Sequence, residues 1–446
     1  FFQKSQLFPG SRGAADFLSP GSAGRLASGM KRTALLLCAL GLTACQGAAF
    51  VRPPAPLTQL HEFMQGEIDS GDYLGAVTLI ARHGKVVDWH AFGHRDLART
   101  LAMDPDSIFR IYSMTKTVTT VAVLMLMEDG RFSLDDPVAL VLPEFADMPV
   151  FIGGTADAPQ LRAARRPITI RNLLMHAAGF AVGGKDAPES VRMLERADLG
   201  SSTDLATYCA RLGRVPLAVD PGSRFNYDGV QIVVLGRIVE VVAGVSFEDF
   251  LQQRIFAPLR MMDTGFSVPE VKRGRIVEMT STDSDGRLIP APEYVGTRPG
   301  DTINPYHSGA GGLYSTAADY LRFSQMLLNG GRLDGVSILR NDTIGMMMTN
   351  QLDRLDPPVT EFRPGEGFGL GGSVVVDVAA RGRPGSMGQF GWSGAASTYY
   401  SIDPREGLIA MLLIQHLPQG LPRDPPKISA TFYNLVYQAL VKQSLP

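Results

Sequence analysis

FRIYSMTKTVTTVAVLMLMEDGRFSLDDPV, residues Phe109 to Val138, sets a serine and a lysine three positions apart, Ser113 and Lys116, at the head of a long apolar run. On a helix, positions i and i+3 share a face, so the hydroxyl and the amine would meet. A serine hydroxyl is a poor nucleophile until a neighbouring base takes its proton. An amine serves as that base only where burial and apolar neighbours disfavour its charge, and VTTVAVLMLM supplies such neighbours. If Ser113 opens the helix, its N–H also lies at the positive end of the helix dipole, where a developing oxyanion is stabilised. The competing reading is an ordinary polar start to a buried helix. Spacing alone does not separate the two, because Ser28 and Lys31 in SGMK repeat it near the N-terminus; the rest of the chain must decide.

The chain has 446 residues, 45% apolar and 19% charged, which describes a globular protein with a sizeable core. Its formal charge of -2 gives no reason to expect a nucleic-acid partner. Three cysteines cannot make a disulfide framework; Cys209, in ATYCARL, reads as a small core residue.

The first methionine, Met30, is followed by KRTALLLCALGLTAC: a basic segment, an apolar segment and a small-residue cleavage site. The apolar part, Thr33 to Ala44, is too short to span a bilayer, which takes about twenty residues. LTAC, Leu42 to Cys45, resembles a lipobox, which implies acylation of Cys45 and a periplasm-facing membrane lipoprotein of the outer membrane. Without lipidation the product is periplasmic or secreted. Residues 1–29 are set aside as upstream sequence, and 30–55 are read as signal and tether.

From Pro56 the pattern becomes regular. Pro56 to Ser70 reads as an amphipathic helix, and AVTLIARHGKVVDWHAFG as two strands around His83-Gly84. The middle is mostly helical in pattern, as in IRNLLMHAAG and VQIVVLGRIVEVVAG. Strand-like pieces return in GGSVVVDV, STYYSID and GLIAMLLIQH before a last helix over about Lys427 to Lys442. Strands at both ends with helices between predict one hydrolase unit over 56–446, its sheet drawn from about 56–112 and 300–446 and its helical part from about 113–299.

The Phe109–Val138 stretch, with PITIRNLLMHAAGF, PGSRFNYDGVQIVVLGRIVEVV, IFAPLRMMDTGF and GAGGLYSTAADYLRFSQMLLNGG, resembles in order the serine beta-lactamase and penicillin-binding-protein superfamily, in its class C-related family VIII carboxylesterase branch. The resemblance runs from about Leu57 to the C-terminus. It implies a beta-lactamase/transpeptidase-like α/β plus all-α fold, an antiparallel sheet flanked by helices with an inserted helical domain and the site in the cleft. It further implies Ser113 as nucleophile, Lys116 as its coupled base and Tyr227, in FNYDG, as the phenol that assists proton transfer. Where the family usually has Tyr-x-Asn this chain has Tyr227-Asp228-Gly229, so the carboxamide that lactamases direct at their substrate is missing.

Lactamases and peptidases anchor a substrate carboxylate with Lys-Thr-Gly on an edge strand, and no Lys-Thr-Gly occurs in this chain. Of the two candidates for its place, His307-Ser308-Gly309 precedes a turn and a helix, whereas Trp392-Ser393-Gly394 precedes a strand and is similar to the Trp-x-Gly of family VIII esterases. The resemblance then implies Trp392, Ser393 and Gly394 against the substrate, with the backbone N–H groups of Ser113 and Ala395 as oxyanion hole.

Other hydrolytic chemistries lack their motifs: there is no Gly-x-Ser-x-Gly, and HEFMQ from His61 lacks the second histidine of a zinc site. His176, in LLMHAAG, reads as a packed structural histidine. The expectation is a serine esterase for short-chain esters, with weak hydrolysis of some beta-lactams, without metal or cofactor, its partners a small-molecule ester and a membrane met only through a lipid. The alternatives are a class C-like beta-lactamase or D-amino-acid peptidase, and a non-catalytic lipoprotein that binds a cell-wall ligand.

Overall fold

The computed structural model describes residues 57–292 and 299–440; Cys45 and the signal and tether lie outside the described residues. Seven strands form one antiparallel sheet in the order Glu366–Phe368, Ser373–Val375, Phe390–Ser393, Tyr399–Asp403, Leu408–Ile414, Gly75–Arg82, Lys85–Gly93. The two ends of the chain therefore meet inside the sheet, where Gly75–Arg82 pairs with Leu408–Ile414 in the register Val77↔Leu413, Leu79↔Met411 and Ala81↔Ile409.

LIAMLLI, Leu408 to Ile414, has no polar position because both of its faces are covered; all seven residues are buried. Successive side chains of a strand point to opposite faces, and the core divides accordingly. Ile409, Met411 and Leu413 join the large cluster shared with the helices of the middle of the chain. Leu408, Ala410, Leu412 and Ile414 join a second cluster with the two terminal helices. In the first of these, Thr58–Asp69, Leu60, Met64 and Ile68 recur every fourth residue and make its buried face. Phe432, Tyr433 and Val436 do the same for Ser429–Leu440.

On the opposite face the Ala317–Leu328 helix lies against the sheet, and the Thr115–Glu128 helix packs on Val230–Ala243. Thr115–Glu128 is enclosed on all sides, buried from Thr115 through Leu126. Its hydroxyls need partners at that depth, since an unsatisfied buried polar group costs about 1–3 kcal/mol. Thr117 Oγ1 donates to the Gly371 carbonyl at 2.9 Å and Thr119 Oγ1 to the Gly309 carbonyl at 2.8 Å. These bonds tie the helix to the two loops that border the cleft.

Two hairpins depart from the sequence reading of 113–299 as helical: Thr280–Thr282 with Leu288–Pro290, and a larger one. The strands Pro149–Gly154 and Pro159–Ala163 form the larger. Few of its side chains are buried, so it carries no clear alternation. It is held from a distance, by Phe151 N–H to the Leu217 carbonyl and Leu217 N–H to the Pro149 carbonyl, each 2.8 Å.

Candidate active site

Ser113 stands one turn ahead of its helix. Tyr112–Met114 forms a single 3-10 turn and the α-helix begins at Thr115, so the serine precedes the helix rather than opening it. Tyr112 takes a φ of +42°, a conformation that costs a non-glycine residue energy and persists only where the surroundings hold it. They do: the Ile111 N–H donates to the Leu313 carbonyl at 3.0 Å, and Tyr320 Oη donates to the Met114 carbonyl at 3.0 Å.

The expected spacing has its geometric consequence. Lys116 Nζ lies 2.9 Å from Ser113 Oγ and 2.6 Å from the Ala310 carbonyl oxygen, with only 4% of the lysine exposed. A neutral amine placed so can give one proton to the Ala310 carbonyl and keep its lone pair for the serine hydroxyl. The Gly-rich segment GAGG is thus the other wall of the site, since it brings that carbonyl to the lysine.

Tyr227 joins them from the turn ahead of Val230–Ala243. Lys116 Nζ sits 5.2 Å from the centroid of its ring. Trp392 comes from the sheet, in register with Tyr400, and its indole Nε1–H donates to Tyr227 Oη at 2.8 Å. The two rings lie 4.9 Å apart, inside an aromatic group completed by Phe225, Phe362 and Phe368.

The strand bearing Trp392 packs on the Tyr112–Met114 turn. Closure of the next turn requires glycine at 394, where an added Cβ would lie 2.6 Å from the Ile111 carbonyl oxygen and 2.2 Å from Thr398 Oγ1. Gly394 N–H donates to the Thr398 carbonyl at 2.8 Å, whereas the Ala395 N–H meets no acceptor among the described residues. Ser393 is exposed beside them.

Two residues beside the site, His176 and Asp228, are given no part in it by the sequence reading. His176, read as structural, is fully buried and lies with its ring 4.6 Å from that of Tyr227. Burial pushes its pKa well below the ordinary histidine value, and the charges of Lys116 and Lys185 add to this, so the ring is neutral. Its Nδ1 accepts the Asp228 N–H at 3.4 Å, which puts the ring proton on Nε2, a buried atom without a partner among the described residues. Asp228 in turn accepts from Gln231 N–H at 3.1 Å and Gln231 Nε2 at 2.6 Å. Burial pushes its carboxyl up to about 6, against the pull of the Gln231 bonds and the Lys116 charge. The signal for both lay in their places within LLMHAAG and FNYDG, not in their residue types.

The beta-lactamase family model matches residues 60–431. The chain belongs to the beta-lactamase family. It is 36% identical over 361 residues to Protein Rv1367c of Mycobacterium tuberculosis, covering 78% of this chain and 88% of that one. It is 30% identical over 368 residues to Esterase EstB of Burkholderia gladioli, covering 78% and 87%. Among solved structures it is similar to EstCE1, described as a hydrolase with promiscuous acyltransferase activity, at a TM-score of 0.70 and 25% identity over 86% of this chain and 98% of that one. The fold is that of the beta-lactamase/transpeptidase superfamily, and the chain is a serine hydrolase of that kind.

Within this beta-lactamase-family fold the two candidates for the missing Lys-Thr-Gly fall on different walls. His307 stacks on Phe266 at 4.8 Å and lies 3.4 Å from Glu248, and its neighbour Gly309 serves the Thr119 hydroxyl. That segment backs the lysine. Trp392-Ser393-Gly394 lies on the sheet wall, in contact with Tyr227. Cys209 is buried in the helical core, where burial pushes its thiol up, and takes no part in the site. Among the described residues no three His, Cys, Asp or Glu side chains gather to hold a metal ion.

Proposed function

We propose that the protein is a carboxylesterase acting on small, uncharged, short-chain esters through an acyl-enzyme on Ser113, with residues 56–446 as its hydrolase domain. The observation that carries this reading is the bond from the Trp392 indole to Tyr227 Oη. At the position where lactamases present a cation to the substrate carboxylate, this cleft presents an apolar wall whose polar atom is spent on the tyrosine. A carboxylate against the indole itself would lose water and gain no ion pair from it, whereas a neutral acyl or alcohol group loses nothing; the nearby cations border a cavity on the other face of the strand.

Ser113 Oγ attacks the ester carbonyl carbon as its proton passes to Lys116 Nζ. The carbonyl oxygen takes up negative charge against the N–H groups of Ser113 and Ala395. Tyr227, whose ring lies 5.2 Å from Lys116 Nζ, relays the proton to the departing alcohol oxygen as the C–O bond breaks. Water then repeats the sequence on the acyl-enzyme, giving up its proton to the same pair and releasing the acid. The name of EstB and the description of EstCE1 as a hydrolase support ester cleavage. The lipobox at Cys45 supports attachment to a membrane by a lipid, facing the periplasm.

The test is a panel of p-nitrophenyl esters beside nitrocefin and benzylpenicillin, on the wild type and on Ser113→Ala. Neutral short-chain esters should exceed penicillin in kcat/KM by orders of magnitude, and Ser113→Ala should fold and lose all turnover. Hydrolysis of benzylpenicillin as fast as p-nitrophenyl butyrate would overturn the esterase reading. For the anchor, Cys45→Ala should move activity from the membrane fraction to the soluble one.

A further inference from the structure

The pairs Trp392↔Tyr400 and Ser393↔Tyr399 place alternate residues on opposite faces of the sheet. Trp392 and Tyr400 face the helices and the site, whereas Tyr399 belongs to the core beneath the terminal helices. On that second side, behind the strand that bears Trp392, lies a cavity of about 190 Å³. Trp392 and Ser393 belong to its walls as well as to the ester cleft, so the two spaces share one strand.

Its lining is unbalanced in charge. Arg363, Arg381, Arg383 and Lys427 all border it, and the one acidic residue among its walls is Glu366. The Glu366 side chain, 5% exposed, accepts from Arg381 Nε at 2.9 Å and from Arg383 Nη2, with Arg363 Nε at 3.5 Å. Burial opposes its charge, but these three guanidinium groups outweigh burial and hold the carboxyl below its usual range, so it is ionised. One negative charge then faces four positive ones.

An ion-pair cluster serving the fold alone is expected to approach neutrality, because each unpaired charge withdrawn from water is costly. Here the Arg381 side chain is as enclosed as the carboxylate and Arg383 is largely enclosed, so two guanidinium groups share one buried carboxylate, while the more exposed Arg363 and Lys427 stand at the cavity's border. Guanidinium forks match the geometry of phosphate oxygens. The hydroxyls of Tyr399, Ser393 and Ser429 border the same cavity, the last at the start of the twelve-residue terminal helix.

We propose that this cavity binds a small phosphate-bearing anion, on the far side of the strand whose Trp392 and Ser393 border the ester cleft. Inorganic phosphate stands in as the probe. Isothermal titration of the full chain at constant ionic strength should show saturable one-to-one binding of phosphate, tighter than that of succinate. Arg383→Gln with Lys427→Gln should weaken it by about tenfold or more, as expected for lost charge-assisted bonds, while ester turnover without phosphate is unchanged. Glu366→Gln should act in the opposite direction and tighten phosphate binding at least about threefold, because it frees guanidinium donors; a merely structural cluster would not respond so. Absence of saturable binding, a preference for succinate, or equal affinity in the wild type and the Arg383/Lys427 double variant would each overturn the proposal. Should Glu366→Gln fail to fold, the double variant decides alone, since Lys427 is exposed and Arg383 is not fully buried. Ser113, Lys116 and Tyr227 are not among the residues that line the cavity, so absence of phosphate binding in a wild type whose ester turnover is intact would overturn this proposal and leave the esterase reading standing.

Discussion

The indole N–H of Trp392 donates to the phenolic oxygen of Tyr227 across 2.8 Å, joining residues 165 positions apart in the chain. The bond occupies one lone pair of the phenol and fixes its ring over Lys116. Trp392→Phe keeps the apolar wall and removes the donor. A neutral hydrogen bond is worth about 0.5–1.5 kcal/mol net, so kcat on a neutral ester should fall roughly two- to tenfold with KM little changed. Steady-state kinetics on p-nitrophenyl butyrate would check this, and an unchanged kcat would show the bond to be idle.

In the proposed mechanism Lys116 and Tyr227 share one proton path. Each should contribute the roughly hundred- to ten-thousand-fold typical of a positioned acid or base, so Lys116→Ala and Tyr227→Phe should each lose at least about a hundredfold in kcat. Residues that act as one unit are far from additive. The double variant should therefore lose much less than the product of the two single losses. A cycle of kcat values measured on one ester, closing additively, would separate the two roles.

The Ser113–Lys116 contact was legible because it is local: three positions on a helical path bring the groups together whatever the rest of the chain does. That Lys116 would be enclosed also followed from the apolar run behind it. Tyr227 and Trp392 carry no local signal, and only the resemblance in FNYDG and GWSG singled them out. The positive φ of Tyr112 was not legible, since it depends on anchors such as Leu313 and Tyr320 far along the chain. The Pro149–Gly154 hairpin escaped for the same reason, being held by Leu217 rather than by its own pattern. The sheet core was plain, because LIAMLLI can be nothing but a strand or helix covered on every side.

Asp228 should leave a mark on stability as a function of pH. Its folded pKa of about 6 lies above the ordinary aspartate value, so its contribution is fully present in acid and is lost as pH rises through about 6. Asp228→Asn removes that titration and keeps an acceptor for the Gln231 N–H. The Tm of the variant minus that of the wild type should therefore increase from pH 4.5 to pH 7.5, by a few degrees. The buried His176 is common to both proteins and largely cancels in the difference. A gap that does not change with pH would mean that Asp228 is not so enclosed.

Gly394 gives the most direct test of the sheet wall as half of an oxyanion hole. An added Cβ there would meet the Ile111 carbonyl oxygen at 2.6 Å, and a backbone atom cannot swing aside as a side chain would. The turn must move away from Ile111, which lies two residues before Ser113, and Ala395 N–H must move with it. The loss of one preorganised donor typically costs about a hundred- to a thousandfold in kcat, some 2.7–4 kcal/mol. Gly394→Ala should show a loss of that order, with KM changing much less, because the ground-state ester places no full negative charge on the hole. The control is Gly345→Ala, in the Asn341–Met347 helix, where an added Cβ meets nothing within 4 Å and activity should not change. Pre-steady-state measurement should place the loss in acylation, as a vanished burst of p-nitrophenol. A Gly394→Ala enzyme within about threefold of wild-type kcat would remove Ala395 from the oxyanion hole and leave Ser113 N–H to be paired with another donor.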